Sequence, residues 1–184
     1  MGKLTVTAFT TLDNVAEEPQ LWSGQFFSDA TGTFNNEVLA EADSMLLGRV
    51  TYDGFAAAWP SQSGDPIADK FNAMPKYVVS TTLERADWNN STIIAEDIPR
   101  RVRALREREN VIVWGSPTLV KTLMEENLVD EYVLLVSPIV LGHGKKMLPE
   151  HGTQHTLRII EQRLLEGGML ALRMMPVAAE SRES

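Results

Sequence analysis

Three stretches of small, polar and cationic residues each follow an apolar run short enough to be a buried strand. They are Gly48-Arg49-Val50-Thr51, Ser80-Thr81-Thr82 and Gly115-Ser116-Pro117-Thr118. Glycine lets a ligand approach the backbone, hydroxyl groups donate hydrogen bonds, and a guanidinium binds phosphate oxygens in pairs. A helix N-terminus adds unpaired backbone amides that attract an anion. These stretches therefore point first to a ligand that carries phosphate groups.

In the first stretch, Arg49 supplies the cation and Thr51 is placed to cap the helix that follows. In the third, we expect Ser116 to be the N-cap and Pro117 the first helical residue, so that the amides and hydroxyls there hold a pyrophosphate. The third stretch is not a G-x-G-x-x-G fingerprint. For both stretches the alternative is an ordinary strand-to-helix turn that binds nothing. Ser80-Thr81-Thr82 either donates hydroxyls to a ribose phosphate or simply ends a strand.

Hydrophobic periodicity predicts the elements that position these groups. Strands are expected at residues 4–8, 45–47, 77–80, 92–95, 111–114 and 132–136, and helices near 34–42, 52–59, 98–105 and 117–124. Residues 13–27 show no clear period and are expected to form a loop. Two final strands, near 156–163 and 169–175, flank the hairpin signal Glu166-Gly167-Gly168.

This order predicts an α/β fold with three layers, α/β/α, around a mixed, mostly parallel sheet that ends in a C-terminal antiparallel hairpin. We expect one domain over residues 1–176 and a flexible tail at 177–184. In sheets of this kind, ligands bind in the crevice beyond the carboxyl ends of the strands, where all three stretches would lie.

Composition narrows the function classes. A net charge of −8 argues against a nucleic-acid partner, and no apolar run approaches the length of a membrane span. The chain has no cysteine, which excludes disulfides and thiolate chemistry and is consistent with a cytoplasmic location. His151 and His155 are separated by Gly152 and Thr153, which do not favour the regular helix that a metal pair would need, so no metal site is predicted.

Four longer segments, in this order, carry a family resemblance: LLGRVTYDGF, KYVVSTTL, VWGSPTLVKTL and LVDEYVLLVSPIVLGHGKKM. From about Lys3 to Met175 the chain resembles the dihydrofolate reductase superfamily. It is most similar to stand-alone relatives of the reductase domain in the bifunctional deaminase-reductase of bacterial riboflavin biosynthesis. The resemblance implies a dihydrofolate-reductase-like fold, NADPH as cofactor, and hydride transfer to a small heteroaromatic substrate (pterin-like or pyrimidinone-like) or a carbonyl substrate.

The resemblance also implies roles for individual residues. Gly48, Arg49 and Thr51 match positions at the NADPH phosphates, and Ser80 and Thr81 match positions around the adenosine ribose phosphate. The turn under the pyrophosphate is matched by Gly115, Ser116, Thr118 and Leu119. That turn usually carries two adjacent glycines, and Ser116 stands in place of the second, so its side chain narrows the approach of the cofactor.

Asp13-Asn14-Val15-Ala16 resembles the family's loop over the nicotinamide, with Val15 and Ala16 beside the cofactor. Asparagine tolerates the left-handed backbone that glycine often adopts there. Asp29 is the first candidate for the catalytic carboxylate and Asp13 the second; the alternatives are a helix N-cap for Asp29 and a turn aspartate for Asp13. Trp22 and Phe34 are candidate substrate contacts, or otherwise core residues.

The resemblance further implies a homodimer formed through the sheet edge and the C-terminal hairpin. Two other functions remain open at this point. One is a non-catalytic protein that binds a dinucleotide, and the other is a reductase that uses flavin or deazaflavin in the same cleft.

Overall fold

Eight strands and five α-helices follow one another along residues 1–177, the part of the chain that the computed structural model describes. The strands are β1 (Leu4–Thr11), β2 (Ser44–Gly48), β3 (Lys76–Val79), β4 (Ser91–Ile94), β5 (Val111–Trp114), β6 (Glu131–Ser137), β7 (Leu157–Leu164) and β8 (Leu170–Pro176). The helices are α1 (Asp29–Ala40), α2 (Arg49–Ala58), α3 (Pro66–Ala73), α4 (Ile98–Arg108) and α5 (Pro117–Glu125). The predicted tail at 177–184 lies outside the described residues, apart from Val177.

The strands form one mixed sheet in the order β4-β3-β2-β5-β1-β6-β8-β7. The six strands from β4 to β6 are parallel, and β8 runs antiparallel to both of its neighbours, β6 and β7. The predicted mostly parallel sheet with its C-terminal hairpin is therefore confirmed. Each strand predicted from periodicity has a counterpart in the structure.

Helices cover both faces of this sheet, which explains the short, nearly continuous apolar runs of β2, β5 and β6. On one face α4 and α5 bury a core with the sheet, made of Val102, Leu105, Leu119, Val120 and Leu123 against Leu4, Val6, Leu46, Val111 and Val113. On the other face α1, α2 and α3 bury a second core, in which Phe34, Val38, Leu39, Tyr52 and Phe71 pack with Met45, Leu47, Val78, Ile112, Val133 and Leu135. This gives the three layers that the sequence predicted.

Helix α3 was not predicted, because only two of its eight residues are buried and so short a stripe has no readable period. Its start is nevertheless well defined, since the Asp65 carboxylate accepts hydrogen bonds from the amides of Ile67 and Ala68. Its end is held by the buried ammonium of Lys76, which donates to the carbonyl of Phe71 at 2.7 Å. Burial lowers the pKa of Lys76 to about 8.

The hairpin between β7 and β8 turns through two glycines, as predicted, and both have positive φ (93° at Gly167 and 94° at Gly168). The turn is also attached to the segment that leads into α1. A Cβ on Gly167 would lie 2.3 Å from the carbonyl oxygen of Phe26, and the Ser28 hydroxyl donates to the carbonyl of Glu166 at 2.5 Å. The hairpin therefore helps to position the start of α1.

The segment predicted as a loop at 13–27 has more local structure than expected. It contains two short 3-10 helices, Pro19–Leu21 and Gly24–Phe26, and an isolated antiparallel bridge between Val15 and Lys146. Such short elements have no periodicity that a sequence could show.

The amino ends of the central strands are closed by ion pairs. The buried carboxylate of Glu131, at the start of β6, lies 2.8 Å from the Lys3 ammonium and 2.9 Å from Nε of Arg173. Arg173 also pairs with Glu41 at 2.8 Å. The three stretches predicted to bind a ligand lie at the opposite, carboxyl edge of the sheet.

Candidate active site

Three predicted ligand-binding stretches meet at one edge of the sheet. They follow the carboxyl ends of β2, β3 and β5, which are neighbours in the order β3-β2-β5 and run parallel to one another. Parallel strands deliver their carboxyl ends to the same edge, so the three stretches lie side by side. The arrangement on which the predicted site depends is therefore present.

The turns after β2 and β5 contact each other directly. A Cβ added to Gly48 would lie 2.0 Å from the hydroxyl oxygen of Ser116, so the space beside Gly48 is already taken by that side chain. Gly115 and Ser116 both have φ of 58°, in the left-handed region. A Cβ on Gly115 would meet only Thr51 Oγ1, at 3.9 Å, so the backbone there is open to a ligand.

Arg49 joins the turn after β2 to the turn after β3. Its side chain is half exposed, and Nη1 donates to the Thr82 hydroxyl at 2.7 Å while Nε lies 3.5 Å from the Asp53 carboxylate. Thr82 belongs to the predicted stretch Ser80-Thr81-Thr82, but the family resemblance implies site roles only for Ser80 and Thr81. The Ser80 hydroxyl accepts hydrogen bonds from the amides of Thr82 and Leu83, which closes the turn after β3.

Helices α2 and α5, which begin at this edge, have N-terminal amides that no side chain caps. Gly48 is the N-cap of α2, so Thr51 lies inside the helix as its third residue and the predicted cap by Thr51 is wrong. Ser116 is the N-cap of α5, as predicted, but its left-handed backbone gives no side-chain capping bond. Amides that no side chain satisfies, beside a guanidinium, form a suitable environment for phosphate oxygens. Thr118 is exposed in the first turn of α5, whereas Leu119 is buried under it.

The loop predicted to cover the nicotinamide is fixed by Asp13. One carboxylate oxygen accepts from the Thr11 hydroxyl at 2.6 Å, and the other accepts from the Gly142 amide at 2.8 Å. The Lys146 ammonium lies 3.6 Å away. The hydroxyl and amide donors hold the pKa of Asp13 well below its usual range, so the group stays ionised and the contacts do not favour a proton-donor role.

The rest of this loop has the expected backbone. Asn14 has φ of 68°, the left-handed conformation that asparagine tolerates. Its side chain exchanges two hydrogen bonds with the backbone of Leu148, at 3.0 and 3.2 Å. Val15 is buried beside this contact and Ala16 donates its amide to the carbonyl of Lys145.

Asp29, the first candidate for the catalytic carboxylate, lies on the exposed side of α1. It lines an open surface groove with Phe27, Ser28, Gly32, Thr33 and Asn36. The face of α1 that packs on the sheet carries Thr31, Phe34, Asn35, Val38 and Leu39 instead. The alternative role of Asp29 as the N-cap is wrong, because Ser28 is the N-cap and forms a capping box with Thr31. The position of Asp29 therefore gives no support to a catalytic role.

The two predicted substrate aromatics are both core residues in the structure. Trp22 is 6% exposed and its indole N–H donates to the carbonyl of Glu17 at 2.9 Å. Phe34 is 2% exposed, with the Arg163 guanidinium 5.2 Å above its ring.

Other aromatic rings lie nearer the carboxyl edge. Phe9 packs on the half-exposed ring of Phe27 at 5.7 Å, and Trp114, the last residue of β5, packs on Phe55 at 6.2 Å. Trp114 directly precedes Gly115, and Phe55 follows Thr51 by one helical turn. Their proximity in sequence to these predicted site residues is the signal that could have identified them as residues near the site.

Among residues 1–177, no group of three or more histidine, aspartate or glutamate side chains is arranged to hold a metal ion. None of the helices there is long and apolar enough to cross a membrane.

Comparison with known proteins places this geometry in a family. Residues 2–171 match the family described as the RibD C-terminal domain. The chain belongs to the RibD C-terminal domain family. The Bacillus subtilis protein YyaP, itself described as uncharacterised, is 27% identical over 143 residues, which cover 74% of this chain and 75% of YyaP.

Solved structures show the same fold. A putative riboflavin biosynthesis protein from Shewanella sp. PV-4 superposes with a TM-score of 0.73 at 18% identity, covering 95% of this chain and 99% of that one. Dihydrofolate reductase from Enterococcus faecalis, solved in complex with NADP(H), gives a TM-score of 0.59 at 12% identity, covering 95% and 96%. This member of the RibD C-terminal domain family thus has the dihydrofolate-reductase-like fold, and the family supports a reductase-type function.

Proposed function

We propose that this protein is an NADPH-dependent reductase that transfers hydride to a small heteroaromatic substrate, pterin-like or pyrimidinone-like, or to a carbonyl. The observation that carries the proposal is the meeting of the turns after β2 and β5, where Gly48 and Ser116 are in contact and Arg49 lies beside two uncapped helix N-termini. Helix N-termini at the carboxyl ends of parallel strands are typical binding sites for the phosphates of a dinucleotide.

The residues present suit the cofactor in charge and in shape. Arg49 is half exposed and places a guanidinium at the edge, while the protein as a whole is acidic, with a net charge of −8. An acidic protein can still bind an anionic ligand where a local cation such as Arg49 is accessible. The open backbone at Gly115 would let a pyrophosphate reach the amides of α5, and the Thr82 hydroxyl, together with Ser80 and Thr81, would face the ribose phosphate.

When bound, NADPH would supply the hydride. The protein residues would then bind and orient it: Arg49 and the amides of α2 and α5 would hold the phosphates, and Val15 and Ala16 would lie along the nicotinamide. The ionised Asp13 would fix the loop that contains these two residues through its bonds to Thr11 and Gly142.

Titration of the protein with NADPH, followed by tryptophan emission, tests the proposal. We expect quenching with a dissociation constant in the micromolar range, a binding free energy of roughly −8 kcal/mol. Arg49→Ala should weaken binding by about 1.5–3 kcal/mol, because it removes a charge-assisted donor. Arg108→Ala is the matched control, since Arg108 ends α4 at the opposite edge of the sheet. No change in emission at millimolar NADPH would reject the proposal.

A non-catalytic dinucleotide-binding protein is the second candidate, and a specific observation favours it. Asp13 is held ionised by its donors and Asp29 faces away from the sheet, so neither predicted carboxylate is placed to deliver a proton. Oxidation of NADPH, followed by its absorbance with dihydrofolate, pyrimidinone or quinone substrates, separates the two. Turnover above the rate without protein would eliminate the non-catalytic candidate, and visible colour retained on purification would point instead to flavin or deazaflavin.

We also propose that the protein is a homodimer. Strand β7 is one of the two edge strands of the sheet and pairs with β8 alone. Its apolar side chains Ile159, Ile160 and Leu164 are 53%, 47% and 77% exposed. An edge strand that exposes such residues is usually covered in the functional state.

A further inference from the structure

Helix α4 concentrates positive charge on its solvent side. Five of its eleven residues are arginine, and Glu107 is the one carboxylate within the helix. The protein as a whole has a net charge of −8, so α4 is a local cationic surface on an acidic protein. The exposed members, which we call the arginine surface, are Arg100, Arg101, Arg103 and Arg108.

The fold holds this surface in a fixed position and uses only the fifth arginine itself. On the inner side of α4, Val102 and Leu105 are buried in the core against the sheet. Arg106, at the flank of the helix, donates to the carbonyl of Leu128 at 3.1 Å and lies 3.3 Å from the Asp130 carboxylate. Packing of α4 therefore accounts for Arg106 and leaves the arginine surface unexplained.

The arginine surface differs from the exposed arginines of other elements in its lack of carboxylate partners. Arg49 lies 3.5 Å from the Asp53 carboxylate, and Arg85 lies 2.6 Å from the Asp87 carboxylate. Within residues 1–177, none of the ion pairs involves a member of the arginine surface. These guanidinium groups are therefore accessible to an anion from outside the described chain.

Two members of the surface oppose the helix that carries them. Arg100 and Arg101 lie at the start of α4, where the helix dipole favours a carboxylate and disfavours a cation. The N-cap, Asp97, makes no side-chain capping bond there. Arg100 and Arg103 are also neighbours of like charge on the helix surface, which weakens a helix further. Residues that break local rules of stability in this way are typical of functional surfaces.

We propose that the arginine surface of α4 binds a carboxylate-rich segment of a partner protein. This interaction goes beyond the proposed reductase function and does not depend on it. A guanidinium holds a carboxylate through two parallel N–H donors, a geometry that a lysine ammonium does not offer. The axis of α4 extends about 12 Å from Arg100 to Arg108, at about 1.5 Å per residue. An extended acidic stretch of about four residues has the same length.

The composition of the surface favours a protein partner over a nucleic acid or a membrane. A long polyanion would extend beyond α4 over an acidic protein, which opposes its binding. Helix α4 contains no aromatic side chain on which a base could stack. The exposed residues between the arginines are Ala104 and Glu107, so α4 offers a membrane no large apolar side chain to insert.

Fluorescence anisotropy of a fluorescein-labelled octaglutamate peptide tests the inference. We expect the protein to bind this peptide at low salt with a dissociation constant in the range of tens of micromolar. Binding should weaken at least tenfold at about 0.3 M NaCl, because salt screens exposed charges. No change in anisotropy at millimolar protein would overturn the inference outright.

Double variants locate the binding surface. Arg100→Gln with Arg103→Gln should weaken peptide binding about tenfold. Arg85→Gln with Arg158→Gln is the matched control, since it removes the same charge from two exposed arginines outside α4 and should change the affinity less than about twofold. Arg100→Lys with Arg103→Lys keeps the charge but loses the paired donors, and should weaken binding about threefold. Equal losses in the α4 and control variants would show that net charge alone acts, and would overturn the site.

Thermal unfolding gives a second readout. Because a carboxylate is favoured at the start of α4, Arg100→Glu should raise the melting temperature while it weakens peptide binding. A lower melting temperature for this variant would show that Arg100 supports the fold, and would contradict the assignment of the surface to binding.

Two further probes decide the class of partner. Octauridylate RNA and vesicles of phosphatidylglycerol with phosphatidylcholine present phosphates in place of carboxylates. Binding of either probe under conditions in which octaglutamate does not bind would overturn the assignment to an acidic protein segment. None of these results depends on NADPH, so the proposed reductase function stands or falls by its own titration.

Discussion

Gly48 and Ser116 occupy complementary positions at the carboxyl edge of the sheet: the hydroxyl oxygen of Ser116 lies where a Cβ on Gly48 would be, 2.0 Å away. The turns after β2 and β5 are therefore matched to each other, and residue 48 must be glycine as long as residue 116 has a side chain. The contact joins the two helix starts that are proposed to hold one dinucleotide.

The first prediction is that Gly48→Ala destabilises the protein and that Ser116→Gly rescues it. The added methyl group should cost about 1–3 kcal/mol of unfolding free energy, because it overlaps the Ser116 side chain. Ser116→Gly alone should change stability by less than about 1 kcal/mol, since glycine adopts φ of 58° without strain. Urea unfolding of the two single variants and the double variant measures the coupling. Additive effects would show that the two turns are not matched.

The second prediction concerns cofactor affinity. Ser116→Gly should lower the dissociation constant for NADPH several-fold, because the pyrophosphate could then approach the amides of α5 without the Ser116 side chain. Thr118→Gly removes a hydroxyl from the first turn of the same helix but not from the contact with Gly48, and should not tighten binding. Weaker binding by Ser116→Gly would instead indicate that the hydroxyl is itself a phosphate ligand.

Local sequence signals predicted most of the fold. The short apolar run 111–114 predicts a buried strand, and the structure confirms it as β5. The adjacent glycines Gly167 and Gly168 predict a hairpin turn, which is also confirmed. Helix α3 has a clear start at Asp65-Pro66 but buries too few residues to show a period. Periodicity reports burial, so elements with little burial escape it.

The position of the candidate site can be predicted from the sequence, but the contacts between its residues cannot. The edge where the Gly48 and Gly115 turns meet follows from the order of parallel strands. The contact between Arg49 and Thr82 depends on how two turns pack, which the sequence does not show.

Asp29 could have been placed from the sequence. At 100° per residue it lies about 140° around α1 from Phe34, which the apolar stripe puts on the buried face.

The third prediction is that the exposed edge of β7 forms the dimer. Leu164→Lys should shift the protein from dimer to monomer at micromolar concentration, because the interface would bury an unpaired charge. Leu21→Lys is the matched control, since Leu21 is similarly exposed, at 73%, on a 3-10 helix that is not part of the sheet. Sedimentation velocity measures both. A parent protein that sediments as a monomer, or a Leu164→Lys variant that remains dimeric, would contradict the prediction.

The fourth prediction is a pH dependence that arises from Asp13. The Thr11 hydroxyl and the Gly142 amide hold its folded-state pKa well below the unfolded value, so the ionised carboxylate stabilises the fold above about pH 4. This contribution is lost as the pH falls through the folded-state pKa. Asp13→Asn should therefore be less stable than the parent protein at pH 7, and the difference in unfolding free energy should shrink steadily below about pH 4.

Urea unfolding of the two proteins from pH 7 down to pH 2 measures that difference. Thr11→Val removes the donor that lowers the pKa of Asp13 most. The difference in unfolding free energy between the parent and Thr11→Val should therefore also shrink as the pH falls. If the difference in unfolding free energy between Asp13→Asn and the parent is the same at pH 7 and pH 2, the Asp13 side chain acts through its shape and not through its charge.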